Sequence, residues 1–381
     1  VDTGLMGHLE SQEYLIAVSI ASTFFTMILW SFGFLRMGTV GLVSQTFGKS
    51  DYRELVNIIF RNFCIAFIIA FLIIIFKPIL INIISQIFAV SSETNSLIKD
   101  YISVRVFSAP AELIIYILIG FFLGIQRTII SSFLIITLSL LNICFSIYFV
   151  NELGLNVKGV AFGTLLAAYI TVLSFSVYTY FYIIKKFKVI PRFAPKKLLN
   201  FKKIIKLLNI NFNIFIRTIL LTFSFFWLTY LGSTLGEEYV AVNSVLLQLI
   251  FISSFFLDAY AFSTEGIVGY SIGKKSSKMF INTTKNSLIL SFITALLISI
   301  FFLFFAKKII NLLTDLEILR FLTYKYLIWV ILIPPVASIA YQLDGIFIGA
   351  TQTKELRNAM IVSVFIYLFL SVFLTKQLHN Y

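Results

Sequence analysis

The chain has 381 residues, of which 59% are hydrophobic, 17% aromatic and only 12% charged, with a formal net charge of +13. A soluble domain carries about 25% charged residues. Half that amount cannot solvate a globule of this size, which excludes a soluble enzyme, and the mean hydropathy of +0.98 excludes disorder. The two cysteines, Cys64 and Cys144, lie inside apolar runs and make no disulfide framework. What remains is a polytopic membrane protein.

A bilayer crossing takes about 20 apolar residues. In chain order the pattern predicts a remnant at 1–8, then spans near 14–47, 55–77, 98–125, 128–150, 155–184, 207–232, 239–272, 281–306, 321–350 and 357–375. Stretches such as Phe67–Phe76 are apolar on every side, which excludes the alternation of a barrel strand and makes the spans helices. The chain opens at Val1 inside an apolar run, and five spans follow the midpoint where six are wanted. A chain truncated at both ends is therefore expected.

Charge sets the orientation. Lys49, Arg53, Arg127, Lys274, Lys275, Lys278, Lys285, Lys354 and Arg357 fall on one side, together with nine basic residues between Lys185 and Lys206. The opposite loops carry Glu10, Glu13, Glu93, Glu152, Glu237 and Glu238. Basic loops stay in the cytoplasm. This one-sided excess explains the net charge without nucleic acid, and makes anionic lipid headgroups the expected partner of Lys185–Lys206.

An internal repeat divides the chain. Thr39-Val40-Gly41-Leu42-Val43 is echoed by Thr264-Glu265-Gly266-Ile267-Val268, and Gly48-Lys49 by Gly273-Lys274. The same gap-free shift of 225 positions carries Pro110 to Pro335, Gly120 and Gly124 to Gly345 and Gly349, and Thr128 to Thr353. Compositional bias would match Phe and Ile rather than Gly, Pro and Thr, so the repeat signals duplicated architecture. The expectation is an all-α membrane protein with two six-helix lobes, 1–184 and 207–381, joined by a cytoplasmic linker at 185–206. Parallel repeats of this kind are related by an axis along the membrane normal and rock about a midplane cavity, which is a transporter layout.

Acids at bilayer depth are costly and usually face a cavity or a partner. Asp2, Glu112, Asp258, Glu265 and Asp344 are the candidates, the last placed near the middle of its span. A desolvated Asp2 could exchange a proton for a cationic substrate, or could be a wet helix-end acid. Asp258 and Glu265, seven apart, share a helix face. Arg36 and Arg217 are buried bases that could pair with these acids as fixed structural charges. Asn142, Ser146 and Thr164 supply neutral oxygens, or simply bond across helices. Gly48-Lys49-Ser50 lacks the spacing of a phosphate-binding loop, and no metal-ligand cluster or nucleophile–base set occurs, so neither a cofactor nor enzymatic activity is expected.

The motifs Val1-Asp2-Thr3-Gly4-Leu5-Met6-Gly7-His8, Phe34-Leu35-Arg36-Met37-Gly38-Thr39, Leu246-Leu247-Gln248, Phe256-Leu257-Asp258, Thr264-Glu265-Gly266 and Leu343-Asp344-Gly345 resemble the multidrug and toxic compound extrusion (MATE) transporters, in particular the DinF-like branch. That resemblance implies twelve helices in two lobes in a bacterial inner membrane, and export of small organic, cationic or amphipathic compounds driven by H⁺ or Na⁺, by a monomer. It implies an ion or proton site at Asp2, Asn142 and Thr164, with Ser146 standing where relatives carry an aspartate. It also implies second-lobe coupling or substrate residues at Gln248, Asp258, Glu265 and Asp344, with Arg217 replacing a glutamate of another branch. The alternatives are a lipid-linked oligosaccharide flippase of the same superfamily and an inactive partial transporter.

Overall fold

The computed structural model describes residues 12–88, 90–191 and 200–378. Among these, all regular secondary structure is helical, and ten helical rods are long and apolar enough to cross a membrane. They coincide with the ten full spans expected from hydropathy.

In chain order the helices are α1 (Gln12–Ser31), α2 (Phe34–Gly48), α3 (Tyr52–Ile75), α4 (Lys77–Ile87), α5 (Ser92–Arg105), α6 (Ala109–Gly124), α7 (Thr128–Ile147) and α8 (Asn156–Phe187). Then follow α9 (Phe201–Leu235), α10 (Glu237–Gly273), α11 (Ser277–Leu313), α12 (Glu317–Gly349) and α13 (Thr353–Leu378). Several sequence spans are subdivided. The 14–47 run breaks at Phe32–Gly33, between α1 and α2. The 98–125 run passes through a 3-10 turn at Val106–Ser108 just before Pro110, whose ring nitrogen cannot extend a helix backwards. Its repeat partner Pro335 sits with Pro334 inside the continuous α12. The short α4, opened by Pro78, has no counterpart in the sequence expectations.

Contacts divide the chain into two units, Val1–Thr39 with Ser50–Leu207, and Val40–Lys49 with Leu208–Tyr381. In the first unit, α7 packs on α8, α1 on α5, and α3 on α6. Helix α6 is buried nearly all round, which is why it reads as apolar on every face. Tyr101, Phe121, Phe122 and Leu113 fill the core, whereas Phe67, Ile68 and Phe71 of α3 face outward, as lipid-facing side chains do. In the second unit, α10, α11 and α12 pack together around Leu249, Phe302, Tyr326 and Val330.

The second unit also holds the C-terminal half of α2. Gln45 of that segment donates from Nε2 to the Gly349 carbonyl at 3.0 Å and to Thr351 Oγ1 at 3.1 Å.

The repeat extends to the backbone. Positive φ recurs 225 positions apart, at Ser50 (59°) and Lys275 (57°), and at Gln126 (61°) and Thr351 (57°). The turn bonds recur as well. Arg127 N donates to Phe122 O at 2.7 Å, and Gln352 N to Phe347 O at 2.9 Å. A Cβ on Gly120 would stand 2.6 Å from the Arg36 carbonyl, and one on Gly345 would stand 2.6 Å from the Ala261 carbonyl. Both partners obey the same shift, so each lobe uses one glycine to bring equivalent helix backbones into contact.

Candidate functional site

Two polar clusters lie within the membrane-spanning part of the units. The first is at the α7–α8 crossing. Asn142 Nδ2 donates to Thr164 Oγ1 at 2.8 Å, and Thr164 Oγ1 in turn donates to the Val160 carbonyl at 3.1 Å. Both side chains are half-buried. One turn along α7, Ser146 is wholly buried, and its Oγ has no hydrogen-bond partner among the described residues. It is pressed against Gly163, where an added Cβ would meet the Ser146 backbone nitrogen at 2.7 Å. Asp2 lies outside the described residues.

Also in the first unit, Arg105 pairs with Glu112 and reaches Ser108 across the 3-10 turn, and its guanidinium lies 4.8 Å from the centre of the Phe25 ring. Glu112 is therefore a neutralised structural charge. Arg36 joins Arg105 and Glu112 in electrostatic reach of Tyr116.

The second cluster joins α9, α10 and α12. Arg217 Nη2 lies 2.8 Å from Asp344 Oδ1, with both side chains less than one-fifth exposed. Tyr341 donates to Ser254 Oγ at 2.6 Å and lies in electrostatic reach of Asp258, Arg217 and Asp344. Asp344 is five residues from the end of α12, not near its middle as expected from the sequence; the helix gains no residues beyond Gly349 because the chain turns at Thr351. Glu265 is 1% exposed, beside the bond from Thr264 Oγ1 to Gln342 Oε1 at 2.8 Å. Gln248 is exposed on α10, about 15 Å along the axis from Asp258, and joins neither cluster.

Sequence reasoning singled out Asp258 and Asp344 but passed over Tyr341 and Ser254. The repeat held the missing signal, since Tyr116 and Tyr341 are themselves 225 apart. Arg61 also went unnoticed. It is buried in α3 and paired with Glu54 at 2.8 Å, and Glu54 takes Lys203 at 2.7 Å.

Two helical lobes built on one repeat match a known group of proteins. The MatE family profile covers residues 1–148 and 214–374. The chain belongs to the MatE family. It is a MATE transporter and not an enzyme. It is 32% identical over 368 residues to DNA damage-inducible protein F of Escherichia coli (strain K12), spanning 95% of this chain and 78% of that protein. Its fold superposes with a TM-score of 0.83, at 18% identity, on the outward-facing conformation of a multidrug resistance MATE family transporter of the MOP superfamily. The match covers 94% of this chain and 80% of that one. A MOP superfamily transporter from Pyrococcus furiosus, whose binding pocket is described as having reverse polarity, matches at a TM-score of 0.82 and 18% identity over the same shares. This MATE chain is thus a multi-pass membrane protein of a family that handles small molecules.

Proposed function

We propose that the protein is a secondary-active antiporter of a bacterial inner membrane that exports organic, cationic or amphipathic compounds in exchange for protons, acting as a monomer. The observation that carries this reading is the contrast between the two clusters. In the second lobe Asp344 is held by Arg217 at 2.8 Å. The charge of such a carboxylate is committed to its partner as a fixed structural pair. In the first lobe Asn142 and Thr164 form a neutral polar pair bonded to each other and to a backbone carbonyl, suited to flank an acid that changes its protonation state. Asp2 is that acid in this proposal.

Ser146 supports a proton as the coupling ion. A hard cation is held by several oxygens, carboxylates foremost. Position 146 is a serine, so the second carboxylate that such a site would use is missing there. A proton needs only one acid. Protonation of Asp2 from outside would release the cargo, and deprotonation toward the cytoplasm would restore affinity. The basic stretch Lys185–Lys206 would meanwhile hold the cytoplasmic face against anionic headgroups.

The test is efflux into everted vesicles under an imposed pH gradient and, separately, an imposed Na⁺ gradient. The expected result is transport driven by the pH gradient and lost in Asp2→Asn. Transport driven by Na⁺ alone, or undiminished transport in Asp2→Asn, overturns the proposal.

A further inference from the structure

The shift of 225 that relates the lobes carries the start of α3, at Tyr52, onto the start of α11, at Ser277. The caps correspond too. Asp51 Oδ1 accepts from Glu54 N at 3.1 Å, and Ser276 Oγ accepts from Met279 N at 3.3 Å. Past the caps the chemistry diverges. In α3, Glu54 takes Arg61 at 2.8 Å and Lys203 at 2.7 Å, and accepts from Asn57 Nδ2 at 3.3 Å. That copy is an acid-centred cradle filled by a lysine of α9. In α11 the counterparts of Glu54, Asn57 and Arg61 are Met279, Asn282 and Asn286. The amide is kept, while the acid and its base are gone. A cavity of ≈ 350 Å³ lies there, lined by Ser276, Lys278, Met279, Asn282, Thr283 and Asn286. Among the described residues no carboxylate lines it, and the side chains of Lys278, Asn282, Thr283 and Asn286 make no hydrogen bond or ion pair. Lys285, two turns beyond Lys278, adds a second exposed ammonium on the same helix face.

We propose that this cavity is a headgroup site for an anionic phospholipid of the cytoplasmic leaflet. Ammonium, amide N–H and hydroxyl groups all donate, and phosphodiester oxygens accept from each of them. The same position in the first lobe carries an acid and takes a cation; without the acid, and with Lys278 added, it suits an anion. Its depth fits a headgroup, because the apolar run of this span begins near residue 281 and the cavity straddles that border. Past Asn286 the same face of α11 exposes Leu290, Ile293, Leu297 and Phe304. Ile293 and Leu297 are the repeat counterparts of Ile68 and Leu72, which face outward on α3. The cavity is thus continuous with a lipid-facing stripe, as a headgroup is with its acyl chains, and this favours a lipid over a soluble phosphate. The site is separate from the diffuse attraction of Lys185–Lys206 and does not depend on the cargo or the coupling ion. It rests only on the orientation that places the basic loops in the cytoplasm.

The test is photolabelling of the full-length transporter in phosphatidylcholine nanodiscs that carry a trace of photoreactive phosphatidylglycerol, with the labelled peptide quantified by mass spectrometry. The α11 peptide containing residues 276–290 should be labelled. Unlabelled phosphatidylglycerol should compete; added phosphatidylcholine and soluble glycerol 3-phosphate should not. Lys278→Gln should lower the labelling about fivefold. Met279→Glu, which restores the first-lobe acid, should lower it at least as far, and it should fold, because the new carboxylate completes a capping box with Ser276. Lys275→Gln, which removes an equal charge outside the cavity, should change it less than about twofold. Size-exclusion profiles check that each variant folds. The proposal is overturned by an unlabelled α11 peptide, by equal competition from phosphatidylcholine, or by unchanged labelling in Met279→Glu. Competition by glycerol 3-phosphate would make it a soluble-phosphate site, and an equal loss in Lys275→Gln would reduce it to the general field of the basic loops; either result overturns it as well.

Discussion

Single residues decide what each cluster can do. Arg217 and Asp344 form a pair that is largely out of water. Removing one partner of such a pair leaves an uncompensated charge, at a cost of about 3–5 kcal/mol, whereas replacing both with apolar residues is often neutral. Asp344→Asn is thus expected to lower the thermal unfolding temperature in detergent more than the double change Arg217→Met with Asp344→Leu. The opposite order would show that the pair is not structural. Ser146 poses a packing question. Its contact with Gly163 is already tight, so Gly163→Ala should cost about 1–3 kcal/mol through overpacking. Ser146→Asp should reduce the yield of folded protein without producing Na⁺-driven transport. Detergent-extracted yield and vesicle assays check the two halves of that expectation.

At the scale of elements, turns repeat more faithfully than helices. Lys275 and Thr351 both hold positive φ, at 57°. An L side chain in this region costs about 1–2 kcal/mol, and a β-branched one is least at ease there. Lys275→Gly should therefore stabilise the fold by up to about 1 kcal/mol. Thr351→Gly removes a comparable strain but also loses the hydroxyl that accepts from Gln45 Nε2. A hydrogen bond contributes about 0.5–1.5 kcal/mol net, so this second change should be near neutral. Thermal unfolding of the two single variants separates these cases, and equal gains would mean that the Gln45 bond contributes nothing. The helices themselves diverge around the conserved turns: Pro110 follows a 3-10 turn, while Pro335 lies within a continuous helix.

For the whole molecule, the charge asymmetry makes a topological prediction. A cysteine placed at Lys275 should react with a membrane-impermeant maleimide only from the cytoplasmic side, and one placed at Glu237 only from the outside. Both natural cysteines, Cys64 and Cys144, are exposed on the outer faces of helices and should be changed to Ala first. Reversed labelling would invert the direction of transport proposed above.

Hydropathy and the repeat determined the helical class, the ten spans and the duplication of the lobes, because lipid demands runs of apolar residues whose backbone bonds are satisfied internally. They also singled out Asp344 and Arg217 as buried charges, since a charge inside an apolar run stands out in any sequence. Their pairing was decided only by the tertiary structure, because partners 127 positions apart on α9 and α12 meet through helix packing that no local pattern encodes. The closed crossing at Ser146 and Gly163, the Tyr341–Ser254 bond and the assignment of the C-terminal half of α2 to the second unit were decided there too. Each depends on how closely two backbones approach, a distance set by the whole set of side chains between them.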